Sequence, residues 1–493
     1  MILRGKRIDL TTGDILVAVM NEKDANKLDL KVSDRIRITA GNKNIIAVVD
    51  ISKTGVKPGE IGLFNDAYKK LCEKNKCYLL DVTLEQKPAS IYAIKKKLFG
   101  KTLNKNEIYT LVKEVVHDEL NAVELSYFIS ACCSYGLNAE ETINLTKAMI
   151  EFGKKLDFGN GKIVDKHSTG GVPNNRTTMI VVPIVAAAGL VMPKTSSRAI
   201  TSPAGTADTM EVLAPVVHPV NKIKSIIKKT NACIIWGGAM DLASADDKMI
   251  KVRYPLSLDP EGLILSSIMA KKAAVGSKYV LIDIPLGINT KVDTKKKAIH
   301  LKRQFINIGK KLGMKIKVII SDGSQPIGRG IGPVLEARDV LWILKGDKRG
   351  PEDLKKKSLK IAGMILKMAG RGNEKKAKKI LESGEAYKKM KQIIKYQGGD
   401  PNVDPNSLNV GHHTYTVRAV KKGKIININN RSISKIARIA GAPVDQGAGI
   451  YLNVVKGDKV DIGDNLFTVY SANKEKLNQT LEIFSNFPVI TVQ

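Results

Sequence analysis

Two short stretches concentrate the groups that hold an oxyanion. Asp165-Lys166-His167-Ser168-Thr169-Gly170-Gly171 supplies a cation, two hydroxyl donors and a glycine pair. Glycines let the backbone approach an anion closely, and a helix that follows points its free N–H groups at the same spot. The segment is neither a Walker A loop nor a dinucleotide Gly-x-Gly-x-x-Gly turn. The second stretch runs from Ser196 through Ser197, Arg198, Ala199, Ile200, Thr201, Ser202, Pro203, Ala204 and Gly205 to Thr206, with five hydroxyls and one arginine in eleven residues. Composition leaves both readings open for each. The first also fits an ordinary strand–helix turn with a hydrogen-bonded His167, and the second a polar loop of local side-chain-to-backbone bonds. Their nearness in the chain favours one shared pocket, because an oxyanion needs several convergent donors.

The elements that must position these groups follow from the patterning. Lys162-Ile163-Val164 precedes the first stretch as a strand, and an apolar helix from about Thr177 to Leu190 follows it. Tyr279–Ile284 and Ile316–Ile320 are further β-rich runs that alternate with helical stretches, the signature of a parallel α/β sheet with crossover helices. Before this lies a helical block in which Asn104 with Glu107 makes a capping box ahead of Ile108, Leu111, Val112 and Val115. Asn138 with Glu141 opens another helix. Further upstream, Arg35–Ile38 and Ile45–Val49 flank Gly41-Asn42 as strand–turn–strand. The chain of 493 residues suits about three or four domains. We expect a multi-domain α/β protein: a β-rich domain at 1–84, a helical domain at 85–153 to which 240–275 returns, an α/β phosphate-binding domain at 154–239 and 276–400, and an α+β domain at 401–493.

Composition excludes some classes. With 43% hydrophobic and 26% charged residues each domain can bury a core, which rules out a disordered or collagen-like chain. No window of about 18 apolar residues predicts a membrane span. The N-terminal residues lack the apolar core of a signal peptide, and five cysteines are too few and too scattered for a disulfide framework, so a reducing cytoplasm is expected. The net charge of +32 invites a nucleic-acid reading. The lysine runs, among them Lys95–Lys97 and Lys355–Lys357, sit among helix formers and read as solvated faces, and only 5% aromatics leaves few base-stacking platforms. A small anionic substrate profits from the same positive field. The His412-His413 pair has no carboxylate or cysteine neighbours, Cys72 and Cys77 at a five-residue step are weak as ligands, and neither pair predicts a metal site.

Taken together, the two clusters resemble the pyrimidine-nucleoside (thymidine) phosphorylase family. Its Lys-His-Ser-Thr-Gly-Gly loop is matched by Lys166–Gly171, and its Ser-x-Arg…Gly-Thr-x-Asp…Glu loop by Ser196 to Glu211. Ser267-Ile268-Met269-Ala270-Lys271-Lys272, Asp322-Gly323-Ser324-Gln325-Pro326-Ile327-Gly328 and Gly457-Asp458-Lys459-Val460…Gly463-Asp464 extend the similarity from about residue 85 to the end. The chain departs from the nucleoside enzymes at Val172-Pro173-Asn174-Asn175-Arg176-Thr177, at Pro203-Ala204, and in carrying residues 1–84 at all. All three departures resemble the archaeal AMP phosphorylase branch, which cleaves nucleoside 5′-monophosphates with orthophosphate to free base and ribose 1,5-bisphosphate.

The resemblance implies a helical lobe and an α/β lobe, at least a homodimer, and AMP with other nucleoside monophosphates such as CMP and UMP as substrates. It implies no cofactor and no nucleic-acid partner; orthophosphate is the co-substrate. Lys166, Ser168, Thr177, Ser196 and Thr206 would hold the attacking phosphate. Gly171, Ser197, Arg198, Ala199, Ile200, Thr201, Ser202, Thr206, Ser267 and Lys291 would bind AMP, with His167 and Lys271 beside the base. Asp259, read by itself as an N-cap before Pro260, would be the proton donor to the base. Arg253 lies one position out of register with the family's base-site arginine. The alternatives are a thymidine or uridine phosphorylase, an anthranilate-type phosphoribosyltransferase, for which no acidic pair is placed to bind magnesium, and an RNA-binding module.

Overall fold

The computed structural model describes residues 1–493 except 14, 73–78, 160, 200–201, 241, 257 and 485–488. The chain divides into two compact units, Met1–Glu141 with Lys248–Pro260, and Thr142–Asp247 with Glu261–Gln493.

In the first unit, strands β1 (Ile2–Ile8), β2 (Val17–Asn21), β3 (Arg35–Ala40), β4 (Lys43–Ser52), β5 (Glu60–Phe64) and β6 (Leu79–Leu84) close a barrel in the order β1-β5-β2-β4-β3-β6. The predicted hairpin is present: β3 and β4 pair antiparallel, with Ala40 opposite Lys43 across the Gly41-Asn42 turn. Alternation puts Ile36, Ile38, Leu63, Leu80 and Val82 inside the barrel. Helices Ser90–Leu98, Lys105–Val116 and Ala122–Tyr135 follow, the second opened by the Asn104–Glu107 capping box and the third by an equivalent Asn121–Glu124 box. One lysine run departs from its reading as a solvated face. Lys97 is 3% exposed, and its Nζ lies 2.8 Å from Glu141 Oε1. The helix turns Lys97 inward, where only a carboxylate partner makes a buried ammonium tolerable. Cys72 is disulfide-bonded, a departure from the reduced thiols expected, whereas Cys132, Cys133 and Cys233 are free. Cys77, weighed with Cys72 as a ligand pair, lies outside the described residues.

The second unit is built on parallel strands β7 (Val164–Ser168), β8 (Met192–Ser196), β9 (Ala232–Trp236), β10 (Tyr279–Leu286) and β11 (Lys315–Asp322). β11-β10-β7 form one sheet and β8-β9 another, and a single parallel bridge between Ile163 and Val191 joins them. The resulting order is β9-β8-β7-β10-β11. Chain progression therefore reverses between β7 and β10, a topological switch point, and ligands of such sheets bind at the carboxyl ends of the strands there. Helix Thr177–Ala187 returns the chain from β7 to β8 and is buried almost all round, as its continuous apolar sequence requires. It contributes Met179, Val182 and Val185 to a core shared with Leu341 and Leu366 of helices Pro333–Lys345 and Glu352–Met368.

Strand β12 (Gly330–Ile331) leaves this layer and pairs with β15 (Gly449–Leu452) in a sheet ordered β12-β15-β17-β13, where β13 is His413–Arg418 and β17 is Asn465–Ser471. Strands β14 (Gly423–Ile428), β16 (Lys459–Val460) and β18 (Ile490–Val492) form a second small sheet. Helices Asn430–Ile439 and Lys474–Phe484 complete this α+β part. No described helix is long and apolar enough to cross a membrane.

Candidate active site

A cavity of about 270 Å³ opens at the carboxyl ends of β7 and β8, beside the switch point. Its first wall is the turn after β7. Lys166 is 1% exposed, and its Nζ donates to Thr177 Oγ1 at 2.6 Å and Thr178 Oγ1 at 3.2 Å. Burial with only hydroxyl partners pushes its pKa down to about 7. Ser168 Oγ accepts from Asn175 Nδ2 at 3.1 Å, and Asp283 on β10 lies behind it. Burial and the surrounding lysines keep the half-buried His167 ring neutral, well below its ordinary pKa. Gly171 has φ +90°, and a Cβ there would lie 2.7 Å from Lys291 N, so only glycine lets the two segments meet.

The second wall follows β8. The Arg198 guanidinium is bidentate to Glu211 at 2.5 and 2.7 Å, reaches Asp208 at 3.2 Å and stacks 4.9 Å over Trp236, so its charge is committed to shaping the loop. Asp208 Oδ2 accepts from Ala199 N at 2.6 Å and Gly205 N at 2.8 Å, fixing the loop ends. Arg176 from the first wall donates to Thr206 Oγ1 at 2.7 Å and Ala204 O at 2.8 Å. Three buried hydroxyls of the lining, Thr169 Oγ1, Thr195 Oγ1 and Ser196 Oγ, have no hydrogen-bond partner. Buried donors without partners are costly, and a bound oxyanion is the partner their clustering fits.

Beneath the walls, Asp165 Oδ2 lies 2.6 Å from Lys272 Nζ and Asp165 Oδ1 lies 3.5 Å from Lys194 Nζ. Burial pushes the Asp165 carboxyl up, but these lysines more than offset it and hold it below the usual range. Burial lowers Lys194 to about 7. Asp283 likewise meets Lys357 at 3.0 Å and accepts from Ser321 Oγ at 2.6 Å. Lys357 comes from a run read as a solvated face; here helix Glu352–Met368 turns it inward. Four buried or largely buried lysines thus surround two carboxylates, which leaves the cavity electropositive.

Of the residues expected to act, Lys166, His167, Ser168, Gly171, Ser196, Ser197, Arg198, Ala199, Ser202, Thr206 and Lys291 are brought to this cavity or its immediate loop. Thr177 stands one bond behind as the partner of Lys166. Ile200 and Thr201 lie outside the described residues. Ser267 and Lys271 are not in the cavity lining: Ser267 Oγ donates to Asp246 at 2.6 Å, and Lys271 Nζ lies 2.8 Å from Asp246 and 3.1 Å from Asp247, while its charge still acts on His167 of the lining. Asp259 belongs to the first unit, where its Oδ1 is 3.4 Å from Arg253 Nη1. Sequence reasoning passed over Lys194, Asp165, Asp283, Asn175 and Glu336. The available signal was a charge inside an otherwise apolar strand, as in Ile282-Asp283-Ile284, since such a group is tolerated only when paired.

Comparison with known proteins accords with this geometry. Residues 160–259 match the family model described as glycosyl transferase family, a/b domain, and residues 91–153 its helical bundle domain. Residues 424–489 match the pyrimidine nucleoside phosphorylase C-terminal domain. Anthranilate phosphoribosyltransferase from Thermus thermophilus shares the fold, with a TM-score of 0.53 at 19% identity over 62% of this chain and 99% of that one. The chain is thus a glycosyl transferase of the class that combines a helical bundle with an α/β domain. Among relatives, AMP phosphorylase of Thermococcus kodakarensis is 47% identical over 96% of this chain and 94% of its own length, and AMP phosphorylase of Pyrococcus furiosus is 45% identical over 100% and 98%. AMP phosphorylase 1 of Archaeoglobus fulgidus is 42% identical over 98% and 96%. The chain belongs to the AMP phosphorylase family.

Proposed function

We propose that the chain catalyses phosphorolysis of AMP, and of other nucleoside 5′-monophosphates such as CMP and UMP, with orthophosphate as co-substrate and no cofactor. An orthophosphate oxygen bonds to C1′ as the C1′–N bond breaks; the base leaves with the bonding electrons and a proton, and ribose 1,5-bisphosphate remains. The observation that carries this reading is the cluster of unpartnered hydroxyls, Thr169, Thr195 and Ser196, in a cavity with excess buried lysines, in a chain of this family. Lys166, Ser168 and Ser196 hold the attacking phosphate, whose charge stabilises an oxocarbenium-like sugar through preorganised electrostatics. The loop after Ser196 receives the 5′-phosphate, and binding both partners together supplies much of the remaining acceleration. The proton for the leaving base is assigned to Asp259 by the family resemblance. The active form is a homodimer or larger and works in the cytoplasm without nucleic acid.

The test is base release from AMP, CMP, UMP, adenosine and thymidine, each with and without orthophosphate. Adenine released from AMP only with phosphate, with adenosine scarcely reacting, is the expected result. Thymidine reacting best, or uridine when added to the same panel, would replace this reading with that of a nucleoside phosphorylase.

A further inference from the structure

Helix Pro333–Lys345 lies behind the cavity and turns two fully buried carboxylates toward it, Glu336 and Asp339, one helical turn apart. Glu336 Oε2 accepts from Arg176 Nε of the first wall and, at 3.0 Å, from Thr209 Oγ1 of the helix that begins at Thr206 in the second wall. Arg176 then carries the connection forward to Thr206 Oγ1 and Ala204 O. Asp339 Oδ2 accepts from Asn174 Nδ2 at 2.7 Å and from Arg329 N and Gly330 N at 2.8 Å each. Asn174 has φ +52°, a left-handed conformation that costs a non-glycine residue energy and is kept only where its surroundings fix it.

We propose that Glu336 is a positioning residue that ties the two walls of the cavity together and, by neutralising Arg176, keeps that arginine in the frame rather than on the substrate's anion. The inference rests on the phosphorolysis reading. It assigns Arg176, which lines the cavity, a different role from Lys166. Lys166 commits two of its three ammonium protons to hydroxyls and keeps one for an anion, whereas three of the five Arg176 N–H donors, one from each nitrogen, are committed to a carboxylate, a hydroxyl and a carbonyl. Were Glu336 uncharged, the guanidinium would be free to take orthophosphate in its own geometry. Tighter binding of the ground state in a misplaced position lowers turnover.

The test is Glu336→Gln, which keeps an acceptor for Thr209 and removes the charge. Orthophosphate affinity is measured by calorimetry on the full chain, separately from turnover of AMP. The expected result is phosphate bound as tightly as in the parent or more tightly, with kcat lower by about tenfold or more. A simply structural role would weaken both together. Weaker phosphate binding, or an unchanged kcat, overturns the proposal. If Glu336→Gln does not fold, Thr209→Val removes one arm of the tie with no buried charge exposed; it should lower kcat without weakening phosphate binding, and a folded Thr209→Val with parental kcat also overturns it. A parent that binds phosphate but releases no base from AMP sinks the phosphorolysis reading instead, so the two failures are distinguishable.

Discussion

Lys272 and Asp165, 107 residues apart in the chain, meet at 2.6 Å with side chains 2% and 0% exposed, directly under the strand end that carries Lys166. The pair fixes the floor of the cavity. Lys272→Met strips Asp165 of its shorter ion pair and leaves the more distant Lys194. Breaking a buried pair from one side costs about 3–5 kcal/mol, so a large fall in Tm is expected, read by thermal melting with and without orthophosphate.

Phosphate affinity should depend on pH through the protein. Lys166 and Lys194 sit near pKa 7 because of burial, and a bound dianion restores their charged forms. Above about pH 8 orthophosphate is already largely dianionic, so from there upward affinity should fall as pH rises and each binding event should take up protons. Calorimetry in two buffers of different ionisation heat reads that uptake. The linkage to folding has a definite sign. Both lysines are depressed below the ordinary 10.5, so the unfolded chain binds more protons between about 7 and 10.5. Their destabilising effect is therefore greatest below pH 7 and is relieved as pH rises through that window.

Ser196→Ala separates binding from stability. Its Oγ is buried without a partner, so removing it should leave Tm unchanged or slightly higher. A hydrogen bond to a charged group is worth roughly 1.5–3 kcal/mol, so phosphate affinity should fall by about ten- to a hundredfold. Unchanged phosphate affinity would take Ser196 out of the anion site.

Asp259→Asn should keep orthophosphate affinity and lose turnover with AMP by about 10²–10⁴, the range for a general acid. Measured side by side, calorimetry and adenine release distinguish a lost proton from a lost site, and unchanged turnover would end the assignment.

What the sequence discloses here is local. Capping boxes such as Asn104–Glu107, the Gly41-Asn42 hairpin and the hydroxyl-rich walls are readable because their residue types act within a few positions of one another. The strand alternation likewise separates a β-rich start from an α/β middle. The pairings that give the cavity its charge are not readable in this way. Asp165 meets Lys272, Asp283 meets Lys357, and Arg176 meets Glu336 only because the strand order brings distant segments to one sheet end. For the same reason, Lys97 and Lys357 look like members of solvated lysine runs until a tertiary carboxylate is found for each. Lys271 is a similar case: its two aspartates, Asp246 and Asp247, lie on a preceding helix.

The six-stranded barrel at the start of the chain closes on itself through β6 and β1, with Leu3 opposite Leu80. Among the described residues every strand of the barrel pairs on both sides, which disfavours recruiting another chain by adding a strand. Recognition of this part of the molecule would then rest on side chains and surface relief, and could change by point substitution without disturbing the ladder beneath.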